Sequence, residues 1–107
     1  MMEEQPNLDY INQLACGSES IKNRLINVIK DEFPQEILEY NENMEKLNLI
    51  ELAENVHKIR HKIGFLGLEK AYDLSYDYEQ NLREGSFIFK DDFENVLKKI
   101  TIFINNL

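Results

Sequence analysis

An all-α fold, an antiparallel up-and-down four-helix bundle with a short extra N-terminal helix, is what this 107-residue sequence predicts. Three observations lead there. Apolar residues recur at intervals of three and four almost throughout, the period of an amphipathic helix rather than a strand. Only four Gly and two Pro punctuate the chain, and most fall where that period lapses. The stretches left between periodic segments are short, which makes successive helices antiparallel neighbours.

Taken in order, the spacing predicts a short helix from Leu8 to Ala15, ended by Gly17. Ser18 is a good N-cap for a long second helix, whose stripe runs Ile26, Ile29, Phe33, Ile37, Tyr40, Met44. Pro34 falls inside it and removes a backbone donor, so a kink is expected there in preference to a break into two helices. The third helix begins between Leu47 and Ile50 and runs to Leu66, with Leu52, Val56, Ile59, Ile63 and Leu66 facing the core. Gly67 marks the turn. A fourth helix turns Leu68, Ala71, Ser75, Tyr78 and Leu82 inward and stops at Gly85. After the loop Ser86 to Lys90, Asp91 and Asp92 open a last helix, where acidic groups suit the macrodipole. Its core face reads Phe93, Val96, Leu97, Ile100, Phe103, Ile104, Leu107.

Length and composition bound the function. Residues 1–107 suffice for one domain with its own core, and 43% hydrophobic with 30% charged residues is ordinary globular composition. A net charge of -8 argues against nucleic acid and against an anionic membrane surface, both of which need a basic face. The single Cys16 cannot close an intramolecular disulfide and reads as a small apolar filler. Without a leader or a long apolar run, the expectation is a soluble cytoplasmic protein. Met1 and a self-contained five-helix plan point to a free-standing chain, and a monomer is the simplest state because one bundle completes the site described next.

Against that acidic background, His57-Lys58-Ile59-Arg60-His61-Lys62 stands out, and from Asn55 to Leu68 there is no Asp or Glu. The stretch should be locally positive. His57 lies one step, about 100°, beyond the buried Val56, at the shoulder of the apolar stripe with one ring edge open to solvent. Arg60, His61 and Gly64 share its face, whereas Lys58 and Lys62 project to the side. Arg60 is the cation best placed beside His57, and Gly64 leaves bare backbone for a partner's approach. If the third and fourth helices form a hairpin turning at Gly67-Leu68, His57 and Glu79 are equidistant from the turn, about 16 Å along each helix, and face one another. Arg83 lies one turn farther on, level with Ala53.

A histidine whose one ring nitrogen is held by a carboxylate keeps the other as an unprotonated nucleophile. Such a nitrogen can take a phosphoryl group from an aspartyl phosphate, with Arg60 stabilising the charge on the transferring oxygens. The blander account is a shoulder histidine that only packs and hydrogen-bonds. A metal is the sharpest competitor, since His57 and His61 stand four residues apart and Glu54-Asn55-Val56-His57 is one Glu-x-x-His. A di-iron bundle needs a second such motif, and the chain has two histidines in all; a zinc protease helix would place Glu where Lys58 stands. Nothing supports nucleophilic triads or a glycine-rich phosphate loop. Tyr72, Tyr76 and Tyr78 read as core and rim residues, and Asp31, Glu32, Glu36 and Glu39 as a solvated face.

The run from His57 through Gly64-Phe65-Leu66-Gly67-Leu68 resembles the signature of histidine-containing phosphotransfer (HPt) domains. That signature has the accepting His, a basic residue three later, usually Gly four later, and a Gly-apolar helix end. The resemblance extends to Phe33-Pro34 and to the Tyr78-Glu79 and Arg83-Glu84-Gly85 segment. It implies that His57 carries the phosphoryl group, that Arg60 takes the place of the usual Lys, and that Glu79 orients the imidazole. Arg83 looks like a further basic position of the family, and Lys58, His61, Gly64 and Arg83 become candidate partner contacts. His61 departs from the pattern, which generally has Gly there to admit a receiver domain's helix; Gly64 supplies some of that room. The implied function is a phosphoryl carrier between receiver-domain aspartates of response regulators and a hybrid sensor histidine kinase, with no kinase activity and no cofactor of its own. A helical interaction module that binds signalling partners without carrying phosphate is the alternative.

Overall fold

The computed structural model describes residues 4–107, so Met1 lies outside the described residues. Among these, the chain forms five α-helices and no strand: α1 Asp9–Ala15, α2 Glu19–Glu45, α3 Leu49–Phe65, α4 Glu69–Arg83 and α5 Lys90–Asn105. No helix among them is long and apolar enough to cross a membrane. Helix α3 packs most extensively on α4, then on α2; α5 closes against α4 and α2, and α1 lies on α2.

The expected Ser18 cap forms, and Asn48, which the spacing does not single out, caps α3. Ser18 accepts from the Ile21 amide at 3.2 Å and Asn48 from the Glu51 amide at 3.3 Å, each satisfying an N-terminal donor. Helix α4 has no capping side chain of its own. Instead Glu4 reaches from the N-terminal segment and accepts from the Lys70 and Ala71 amides at 2.8 and 3.1 Å, while the Asn7 amide donates to the Leu66 carbonyl at 2.8 Å. The turn that sets the α3–α4 register is therefore tied to residues far away in sequence.

Gly67 is central to that tie. Its φ of +76° is left-handed, and a Cβ there would meet the Asn7 side chain at 2.6 to 2.9 Å. Gly67→Ala is expected to cost about 1–3 kcal/mol, read as a lowered urea midpoint with an unchanged slope.

The core draws on all five helices: Ile11 of α1, Phe33 and Tyr40 of α2, Leu52, Val56, Ile59 and Ile63 of α3, Tyr78 and Leu82 of α4, and Phe93 and Ile100 of α5 are all buried. Phe93 packs against the Tyr40 and Tyr78 rings with centroids 5.6 and 5.1 Å apart. The Tyr40 hydroxyl donates to Glu94 at 2.9 Å, so its only proton is used, and the Tyr78 hydroxyl donates to Tyr40 at 2.8 Å. Burial pushes the Tyr78 phenol up to about 12, and burial with hydrogen bonds to Tyr78 and Glu94 pushes Tyr40 up further still. In the unfolded chain both ionise near pH 10. Their contribution to stability is thus complete below that pH and is lost as pH rises through the folded values. The urea midpoint should fall between about pH 9 and about pH 12, and Tyr78→Phe should lessen the fall.

As expected, helix α2 runs through Pro34 without breaking in two; Pro34 is exposed, and Ile29 and Phe33 before it and Tyr40 after it are buried and hold both halves in place. Other expectations need correcting. Cys16 is exposed at the left-handed C-cap of α1 with φ +49°, so it fills no space in the core. Leu107 lies beyond the end of α5 and is exposed, and Val96 and Phe103 are only partly buried, because α5 packs less extensively on α2 and α4 than α3 does.

Candidate functional site

Small buried residues, Ala53 on α3 and Ala71 and Ser75 on α4, allow these helices to pack closely. Side-chain contacts pair them in opposite order: Glu54 with Arg83, His57 with Glu79, Arg60 with Tyr76 and Tyr72. The register read from the Gly67 turn is the one found.

Val56 is fully buried and the His57 side chain is 44% exposed, so the ring does stand at the shoulder of the stripe. Its Nδ1 lies 3.2 Å from Glu79 Oε1. No hydrogen bond among the described residues reaches Nε2. The Nδ1 atom also lies 3.4 Å from Arg60 Nη2, but a guanidinium only donates, and the nearer group is a carboxylate that only accepts. The network therefore assigns the neutral ring a proton on Nδ1, given to Glu79, with the lone pair on Nε2.

Glu79 is almost fully buried, with a side chain 6% exposed, and it gathers three partners. Its Oε1 faces His57 and Arg60 Nη1, the latter at 3.4 Å, and its Oε2 accepts from Arg83 Nε at 3.4 Å and Nη2 at 3.0 Å. Arg83 also donates to Glu54 at 2.9 Å. That hydrogen bond is the main reason the Glu54 carboxyl is held below its ordinary range, and it likewise raises Arg83.

Arg60 lies close to His57 as expected, but on the Nδ1 edge. Its guanidinium carbon sits 5.5 and 5.3 Å from the Tyr72 and Tyr76 ring centroids, and its Nε is buried with no hydrogen-bond partner among the described residues. Ring stacking and the Glu79 charge hold it there.

The stretch is less positive than its sequence implies. Lys62 bridges to Glu32 at 2.9 Å and Glu36 at 3.3 Å, both on α2. Burial alone would lower the Lys62 ammonium, but the hydrogen bonds and charges of Glu32 and Glu36 outweigh it and raise the group. Burial in turn raises Glu36, against the pull of Lys62. Arg60 is paired with Glu79, which leaves Lys58, exposed and with no ion pair among the described residues. The acids that neutralise the stretch come from other helices.

His61 is exposed, and its ring stands edge-on to His57 with centroids 5.3 Å apart. Gly64 is not bare: a Cβ there would lie 3.2 Å from the Tyr72 ring, so α4 already occupies much of the space. What remains beside it is an open groove of about 540 Å³ lined by Tyr10, His61, Gly64, Phe65, Tyr72 and Asp73. Sequence reasoning missed Tyr10, which nothing in the spacing of α1 assigns to this face. It also missed Glu54, although the hairpin register places it beside Arg83. Among the described residues, no three His, Cys, Asp or Glu side chains are grouped to hold a metal.

No protein-family model matches this chain, and no curated protein or solved structure matches it significantly.

Proposed function

We propose that this protein is a histidine phosphotransfer domain of a multistep phosphorelay, resembling the HPt family. It takes a phosphoryl group from one receiver-domain aspartate onto His57 and gives it to another. The observation that carries this reading is the ring's asymmetry: Nδ1 faces Glu79, while Nε2 has no hydrogen bond among the described residues, in a side chain 44% exposed.

The chemistry follows from that asymmetry. The Nε2 lone pair attacks phosphorus, an N–P bond forms, and the O–P bond of the aspartyl phosphate breaks to release the carboxylate. No proton has to move. The ring, now substituted on Nε2 and protonated on Nδ1, carries positive charge, and the buried Glu79 carboxylate neutralises it where it appears. Arg60 stabilises the phosphoryl oxygens in this reading, which requires its guanidinium to swing from the Nδ1 edge toward Nε2. Magnesium belongs to the receiver, and the chain holds no ATP-binding machinery.

The domain is read as an antiparallel up-and-down bundle of α2 to α5 capped by α1, working as a cytoplasmic monomer. Its partners are response-regulator receiver domains and a hybrid sensor histidine kinase, docking over Lys58, His61, Gly64 and the groove beside them. The test is incubation with a phosphorylated receiver, then with ATP alone. Acid-labile, base-stable phosphate should appear with the receiver and not with ATP. Binding of a receiver without any transfer would favour the phosphate-free interaction module instead.

A further inference from the structure

Arg83 makes no contact with His57, yet it holds the group that does. Its Nε and Nη2 both donate to Glu79 Oε2, at 3.4 and 3.0 Å, while Oε1 is left facing His57 Nδ1. Its Nη2 also donates to Glu54 on α3 at 2.9 Å. Four side chains thus link α3 to α4 twice: Glu54 to Arg83, Arg83 to Glu79, Glu79 to His57.

We propose that Arg83, anchored by Glu54, is a positioning residue that fixes the ring tautomer of His57 through Glu79. The terminal torsion of a glutamate is broad, so an unrestrained carboxylate presents either oxygen, or neither, to the imidazole. Two Arg83 donors converging on Oε2 hold that oxygen in place and leave Oε1 toward Nδ1. A free imidazole favours the proton on Nε2, which would block the nucleophile, so the alignment of Oε1 decides whether that nitrogen is usable. Arg60 cannot replace Arg83 in this role. It approaches the same oxygen as His57, and so competes for Oε1 rather than orienting it.

A further consequence rests on the phosphotransfer reading. Glu79 is buried among its partners, and a carboxylate stripped of its only cation there would be strongly disfavoured. Because Arg83 stays in place, Arg60 can leave Glu79 for the phosphoryl oxygens without stranding the charge. Arg83 is then the standing counter-ion and Arg60 the mobile one.

The test is ¹⁵N NMR of the histidine ring nitrogens in the full chain, at a pH where the ring is neutral and with no phosphoryl donor present. The wild-type protein should show His57 mainly as the Nδ1–H form. Arg83→Gln should shift the ratio toward Nε2–H by roughly fivefold, the worth of one net hydrogen bond. Arg83→Lys, which keeps the charge but not the fork, should restore part of it. Glu54→Gln, an exposed substitution that leaves the core untouched, should shift the ratio in the same direction by less. An unchanged ratio in both Arg83→Gln and Glu54→Gln, with native helical content, overturns the proposal. Since no phosphoryl group is involved, that failure leaves the phosphotransfer reading standing, and failure of phosphotransfer leaves the tautomer result standing.

Discussion

His57→Gln is expected to reduce label taken from a phosphorylated receiver to background, while His61→Gln retains it. Glutamine keeps polarity and approximate size, but its amide nitrogen is not a nucleophile, so the variant tests chemistry rather than shape. The substituted side chain is 44% exposed, and Glu79 keeps Arg60 and Arg83 as partners, so its loss should cost about 1 kcal/mol, well short of unfolding the chain. Folding therefore does not confound the result. His61 has the same ring without the same surroundings: it stands edge-on to His57, and among the described residues no carboxylate hydrogen-bonds it. Equal transfer to both variants would contradict the assignment of the acceptor.

Glu79→Gln should have the next largest effect, with two separable parts. The amide oxygen can still accept from Nδ1–H, but it cannot neutralise the ring's charge as the N–P bond forms. The rate of phosphoryl acceptance should fall about 10²-fold, the cost of losing one preorganised electrostatic partner. Arg60, with a side chain only 14% exposed, would also lose its counter-ion, and the fold should weaken by about 1–3 kcal/mol. Single-turnover transfer and urea unfolding measure the two separately. A variant that is destabilised but transfers at the wild-type rate would reduce Glu79 to a packing role.

Much of this was legible in the sequence because helical period is a local signal. The stripe Leu52, Val56, Ile59, Ile63 located the core face of α3 and so the shoulder position of His57. Counting outward from Gly67 gave the His57–Glu79 pairing, since a tight turn fixes the register of two packed helices. What the sequence hid was contributed from a distance. The acid-free window looked positive because Glu32 and Glu36 reach Lys62 from α2 and Glu79 reaches Arg60 from α4. Gly64 looked open because no local rule places the Tyr72 ring over it. Arg60 was correctly set beside His57, but which ring edge it takes depends on Tyr72 and Tyr76, side chains of another helix that read as core or rim. Residues at element ends misled for a different reason. Cys16 and Leu107 continue an apolar pattern just past the last helical turn, where the chain has already left the core.

In the proposed relay, Glu79 holds the proton on Nδ1 and leaves Nε2 as the acceptor. Correlated ³¹P and ¹⁵N NMR of the phosphorylated protein locates the phosphoryl group on the ring directly. One phosphohistidine is expected, at residue 57, bonded through Nε2 with Nδ1 still protonated. Phosphate on Nδ1 of His57, or on His61 with His57 unmodified, would contradict it.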